Sequence, residues 1–188
     1  KTQYSISGSF LDQNGLLRHG SDTFQRYTVN GRITTQVFDW LRVSYSTKWT
    51  REDFERPSYL TGLFFHNIAR RWPTCPAYDP NGYPLDGMEI IQLEDGKQKN
   101  QKDLNTQQIQ FVFEPIKNWK INVEGSLRTT NTNEHWDVLP IYAHNEYGEP
   151  YGVQWGDYPI GSSKVNEYAY KENYYSTNIY SDYFKQFD

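Results

Sequence analysis

Four histidines, His19, His66, His135 and His144, and three carboxylate pairs are the side chains here whose types could carry catalysis. A zinc hydrolase places two histidines one helical turn apart beside a glutamate, and that spacing does not occur. The histidines therefore read as exposed loop side chains. Glycoside hydrolysis needs two carboxyls held about 5–10 Å apart. Glu52/Asp53, Glu94/Asp95 and Asp137/Glu146 all fall in stretches without periodic structure, where carboxylates are usually solvated. No glycine-rich phosphate cradle follows a strand and opens a helix. The single cysteine, Cys75, makes neither an internal disulfide nor a cysteine-rich metal site. The expectation is no enzyme: no catalytic residue, no metal and no cofactor.

Recognition is the remaining chemistry, and its candidates are the loop aromatics Trp72, Tyr78, Tyr83, Trp136, Tyr147, Tyr151 and Trp155. Flat rings offer rigid contact area for a sugar face or a protein partner. The competing reading has the same rings packing the loops together or lying in an aromatic girdle, because large apolar rings in an ordered loop need cover. Net charge is −4 with both signs interspersed, so no basic stripe points to nucleic acid.

The elements that must position these rings are strands. Hydrophobic residues make up only 36% of the chain while aromatics reach 17%, which suits sheets with one wet face better than an aliphatic core. Tyr4-Ser5-Ile6-Ser7-Gly8-Ser9-Phe10 alternates strictly. From Arg26 to Val37, Tyr27, Val29, Ile33 and Val37 share one face, and Arg26, Asn30, Arg32 and Gln36 share the other. Leu41, Val43, Tyr45 and Trp49 then alternate with Arg42, Ser44, Ser46 and Lys48. The same layout recurs at Ile109–Glu114 and Trp119–Arg128, and a last strand carries Tyr175, Thr177, Ile179, Ser181 and Tyr183 on one side. These readings predict strands over about 2–11, 24–37, 41–51, 106–114, 119–131 and 173–187. Residues 52–105 and 132–171 are predicted as long loops, with Asp79-Pro80-Asn81-Gly82 as a turn signal and a short hairpin or helix near Ile90 and Ile91.

Two predicted hairpins turn within a few residues, at Phe38-Asp39-Trp40 and Pro115-Ile116-Lys117-Asn118, whereas the other connections are long. Short turns at one end and long loops at the other are the asymmetry of transmembrane β-barrels. No run of about 18 apolar residues could form a membrane-spanning helix, but barrel strands need only about 9–11 alternating residues. The expected fold is all-β: an antiparallel transmembrane β-barrel segment of about six long strands, with short periplasmic turns and long extracellular loops. Six strands are too few for a single-chain barrel, and both terminal strands would leave bare edges, so residues 1–188 are expected to be an internal piece of a larger barrel. Trp40 and Trp119 at the short turns fit a periplasmic aromatic girdle. Arg26, Arg32, Arg42, Lys48, Lys120, Glu124 and Arg128 would face the lumen and bond to one another or to a plug.

Tyr4-Ser5-Ile6-Ser7-Gly8-Ser9-Phe10-Leu11-Asp12-Gln13-Asn14-Gly15-Leu16-Leu17 resembles the SusC family of TonB-dependent outer-membrane transporters of Gram-negative bacteria. The resemblance continues through Phe24-Gln25-Arg26-Tyr27, Asp39-Trp40-Leu41-Arg42, Asp79-Pro80-Asn81-Gly82 and Thr177-Asn178-Ile179-Tyr180-Ser181-Asp182-Tyr183. It implies a 22-stranded barrel with a separate plug domain, location in the cell outer membrane, and import of glycans or peptides. Its partners would be TonB, acting through a region outside these residues, a SusD-like surface lipoprotein and outer-membrane lipid. The alternative is a soluble carbohydrate-binding β-sandwich with aromatic loops, whose strands would be about half as long. A hydrolase with its active site in the loops is a third, weaker reading.

Overall fold

The computed structural model describes residues 1–60, 62–85, 89–93, 96–154 and 158–185. The chain is all-β. Six strands, β1 (Thr2–Asn14), β2 (Thr23–Phe38), β3 (Leu41–Pro57), β4 (Lys97–Ile116), β5 (Trp119–Val138) and β8 (Lys164–Tyr183), form one sheet in that order, every neighbouring pair antiparallel. The sheet is open, with β1 and β8 at its edges. Two short helices, α1 (Gly62–Arg70) and α2 (Ile90–Leu93), lie between β3 and β4. A small hairpin of β6 (Ile141–His144) and β7 (Pro150–Val153) lies between β5 and β8. Among the described residues no helix is long and apolar enough to cross a membrane, which says nothing of strands.

Backbone pairing explains the two-faced character. Successive side chains of a strand point to opposite sides, and register carries one face across the sheet. The row Tyr4, Ile33, Tyr45, Ile109, Gly125, Thr177 lies on one face, and the row Gln3, Thr34, Ser44, Gln110, Glu124, Asn178 lies on the other. On the apolar face the rings and aliphatics stand uncovered among the described residues: Tyr4 is 82% exposed, Ile6 80% and Ile179 71%. The polar face is knitted by side chains instead. Thr34 and Ser44 hydroxyls meet at 3.1 Å, Ser126 and Ser176 at 2.7 Å, and the Gln110 amide donates to Glu124 at 2.8 Å.

The sheet is strongly curved, with the polar face concave. A single hollow of about 870 Å³ is lined at once by Gln3 and Ser5 of β1 and by Tyr180 and Asp182 of β8, the two edges of the sheet. A second, of about 790 Å³, lies further from the short turns on the same face.

Both tight turns form where the sequence places them. Phe38 pairs with Leu41 across Asp39-Trp40, and Ile116 pairs with Trp119 across Lys117-Asn118. Asn118 has φ 70°, a left-handed conformation that a short polar side chain tolerates. The ladder shifts register just before each turn, between Gln36 and Phe38 and between Phe113 and Ile116. Trp40 stacks on Phe38 and Phe113, with centroids 5.3 and 6.3 Å away, so this end of the sheet carries an aromatic cluster.

The strands run further than alternation suggested. β3 continues through 52–57, β4 begins at Lys97, β5 continues to Val138, and β8 begins at Lys164. The expected loops over 52–105 and 132–171 shrink to 58–96 and 139–163. The reason is chemical: beyond Trp49 the once-apolar face carries Arg51, Asp53 and Glu55 opposite Asp103, Gln101 and Lys99. With both faces polar, a strand has no period-two contrast to detect. At the far end β8 stops at Tyr183, short of the expected 187, and residues 186–188 lie outside the described ones. Helix α1 was also missed, although Phe64 and Ile68 have helical i, i+4 spacing and Phe64 is buried.

The one hydrophobic cluster among the described residues sits in the loops. Tyr59, Ile91, Val138 and Ile141 are buried together, with Trp136, Val153 and Tyr158 against them. The Tyr59 hydroxyl donates to the Leu139 carbonyl at 3.0 Å, which ties the β3–β4 loop to the β5–β8 loop. If 97–105 and 130–138 are strand, their amides should exchange with deuterium as slowly as those of 107–113 in folded protein, measured by mass spectrometry. Exchange as fast as that of the tight turns would return these segments to loop.

Candidate functional site

Three regions hold side chains arranged for recognition: the tips of the two long loops, the strand extensions beneath them and the concave face.

The loop tips are two turns of the same construction. The Asp79 side chain accepts from the backbone N–H groups of Asn81 and Tyr83, at 2.9 and 2.8 Å. The Asn145 side chain accepts from those of Tyr147 and Glu149, at 3.0 and 2.9 Å. Each turn passes through a left-handed glycine, Gly82 or Gly148. The turns dock on one another: the Tyr83 ring stacks on His144 at 4.0 Å between centroids, and the Asn81 amide donates to the Glu146 carbonyl at 3.3 Å.

That docking sorts the aromatic candidates. Tyr83 is used in packing. Tyr78 lies beside His19, its hydroxyl 3.2 Å from the ring nitrogen. Tyr151 is on β7 and 41% exposed. Trp72 and Tyr147 are 74% and 80% exposed and are the rings that present their faces outward. Trp136 is not a loop residue: it sits on β5 opposite Gln98 and Asn166 and packs against the loop cluster, because the ladder extends past the point where alternation fades. Trp155, Glu94 and Asp95 lie outside the described residues.

The extensions below the loops carry charge on both faces. Arg51 grips Asp103 through two parallel hydrogen bonds of 2.8 Å, at the row where apolar side chains give out. Glu55 accepts from Lys97 at 2.8 Å, with Lys99 at 3.7 Å, and the Lys97 bond holds its carboxyl below the usual range. The reading of all four histidines as loop residues is corrected for His135, which is on β5; His19 lies in the β1–β2 connection, and His66 on α1 and His144 on β6 lie within the two long loops. His135 faces Glu167 of β8 and Asp137 of its own strand, and the Glu167 contact raises its pKa. Among the described residues no three His, Cys, Asp or Glu side chains converge as a metal cage would.

The concave face is the largest recognition surface. Its two hollows contain Arg32, Arg42 and Lys120 in one and Arg26, Lys48 and Arg128 in the other. Of the expectation that these cations bond to one another or to a plug, the first part is not met among the described residues. Arg42 donates to Gln36 at 3.2 Å, while Glu124 is taken by Gln110 and by the Tyr180 hydroxyl at 3.2 Å. Sequence reasoning gave no role to Tyr174 and Tyr180 and placed Tyr168 and Tyr170 in a loop. All four lie on β8, on the concave side, and their separation by even numbers of residues was the available signal.

Comparison of the chain with protein-family models, with curated proteins and with solved structures finds no match.

Two outcomes are expected. Replacing Tyr83 with Ala removes the stack between the turns, and limited proteolysis should then cut within 77–85 or 145–149 several times faster, with the strands intact. Protonated His135 is favoured by its two carboxylates, so the tie between β5 and β8 is present below the ordinary histidine value of about 6.5 and is lost as pH rises through the raised value. An NMR titration of His135 should have its midpoint above about 6.5, and Glu167→Gln should bring it down toward that value.

Proposed function

We propose that this chain is wall of an outer-membrane β-barrel, one of the SusC-like TonB-dependent transporters: about six consecutive strands of a 22-stranded barrel closed by a plug. In this reading the barrel imports glycans or peptides, with a SusD-like lipoprotein over its long outer loops, and the 188 residues contribute no catalysis. The observation that carries it is a curved sheet with an uncovered apolar convex face and a polar concave one, an arrangement suited to lipid outside and a wet lumen inside. In water such an apolar patch would be an association site.

The dimensions support the reading. On β3 the apolar face runs from Leu41 to Trp49, about 26 Å of strand at about 3.3 Å per residue. Aromatics bound the belt at both ends: Phe38, Trp40 and Phe113 by the tight turns, and at the other end Trp49, one row below Arg51 on the same face, with Phe10 and Tyr27 in the row of Arg51 itself. The belt also drifts across the sheet. The row through Phe10, its last apolar residue on β1, reaches Lys171 on β8, whereas the belt on β8 ends at Tyr175. Four residues over five strand steps is about 13 Å along for about 24 Å across, a tilt of about 30°. Transmembrane barrels have strands tilted by about 35–45°, and at about 30° the belt on β3 stands about 23 Å tall, against the usual band of about 25 Å. A β-sandwich would cover the apolar face with a second sheet. Among the described residues the other sheet is the four-residue pair β6–β7, which lies in the loops.

Topology gives the test. Cys75 is exposed in the loop between β3 and β4 and is the one cysteine of the chain. In intact cells a membrane-impermeant maleimide should label Cys75. In a Cys75→Ser background, Asp39→Cys at the tight turn should stay unlabelled until the outer membrane is permeabilised. Equal labelling of both positions, or recovery of the protein in the soluble fraction, would sink the reading.

A further inference from the structure

The chain as a whole is acidic, with a net charge of −4, yet its concave face is not. The two hollows on that face are lined by six cations against two carboxylates, Asp182 and Glu52. All six cations are exposed, and none makes an ion pair among the described residues. The contrast with the convex side is sharp. There, beyond the belt, Arg51, Lys97 and Lys99 are each matched to a carboxylate across the ladder. Of the acids near the hollows, Glu124 is occupied by neutral donors, and Asp182 accepts from the Asn122 amide at 3.3 Å. Unneutralised charge lining a concavity focuses the field there and raises the local concentration of ions of opposite sign.

A second feature runs beside the cations. Tyr168, Tyr170, Tyr174 and Tyr180 follow one another along the concave side of β8, between 45% and 58% exposed. Tyr174 is directly opposite Arg128 and Tyr180 is opposite Asn122. A flat ring beside a guanidinium, with amides and hydroxyls around, suits a pyranose that bears a carboxylate: the ring stacks on the sugar face, the cation meets the acid, and the small polar side chains reach the hydroxyls. Each hollow is of the size that holds a small-molecule ligand, and the two lie in sequence along the strands. An acidic peptide would satisfy the cations but leave the tyrosine faces without a flat partner.

We propose that the concave face is a binding track for acidic oligosaccharides, chains of sugars carrying carboxylates, with the cations selecting charge and the β8 tyrosines stacking on the rings. This rests on that face being the lumen wall, and it narrows the cargo to one chemical class.

The experiment measures binding to the protein purified in detergent by calorimetry, so it is independent of the labelling test of location. The probes are hexagalacturonic acid, the neutral galactose hexamer and hexaglutamate. Hexagalacturonic acid should bind tightest and weaken about tenfold between about 0.05 and 0.5 M NaCl, as screening shortens the reach of the cations. The double variants Arg32→Gln/Lys120→Gln and Arg26→Gln/Arg128→Gln, one for each hollow, should each lose about tenfold in affinity. Tyr174→Leu should weaken the acidic sugar and leave hexaglutamate unchanged. Retained far-ultraviolet β signal and heat-modifiable gel migration establish that each variant is folded. The proposal is overturned if the neutral hexamer binds as well as the acidic one, if hexaglutamate binds better, if no probe binds, or if folded variants bind like the parent.

Discussion

Backbone pairing in one long, uncovered sheet is the constraint from which the rest follows. Each interior strand gives its N–H and C=O groups to two neighbours, so the backbone needs nothing else, and side chains are dealt alternately to two faces. Among the described residues the other sheet is the small hairpin β6–β7 and the helices are two short ones between β3 and β4, too little to cover either face. The faces must therefore be stable against whatever surrounds them, and they are made for different surroundings. One presents Tyr4, Ile33, Tyr45 and Ile179; the other presents serines, threonines, amides and cations. Among the described residues, hydrophobic burial inside the chain is found in and beside the long loops, at the cluster around Tyr59 and Val138 and at Phe64 of α1. For the apolar face, transfer out of water at about 25 cal/mol per Å² is gained only against an external apolar medium.

The sheet also organises what lies beyond the belt. Past the Arg51–Asp103 row the strands continue as a two-faced polar wall held by cross-strand pairs. This extension lifts both long loops from one rigid base. The loops then fold on each other, through Tyr59 to Leu139, Asn81 to Glu146 and Tyr83 on His144. Rings that looked like equivalent ligand candidates are thereby divided into those spent on packing and those, Trp72 and Tyr147, still turned outward.

The legible parts of the sequence were those where the two faces differ in polarity. Strands around Tyr27–Val37, Leu41–Trp49 and Trp119–Leu127 announced themselves by alternation, and the tight turns by Asp39-Trp40 and Lys117-Asn118. Strand at 97–105 and 132–135 was illegible because both faces are polar, and strand at 164–171 because Val165, Glu167, Ala169 and Lys171 mix polarity on one face; His135, Trp136, Tyr168 and Tyr170 were misplaced with it. The mutual docking of the turns at Asp79 and Asn145 was hidden for another reason. Each is a local motif readable on its own, but their contact joins residues more than sixty positions apart.

Local chemistry along the chain thus determined an all-β architecture, the side of each strand that is apolar, and where the chain reverses tightly. Period two is a property of neighbours in sequence, and neighbours are what a sequence displays. Curvature, register and charge balance were decided only by tertiary structure. Whether Arg32 has an acid beside it depends on the pairing of β2 with β3 and on the bend that brings β1 and β8 to the same hollow. Those are relations among strands far apart in the chain, set by how the sheet twists as a whole.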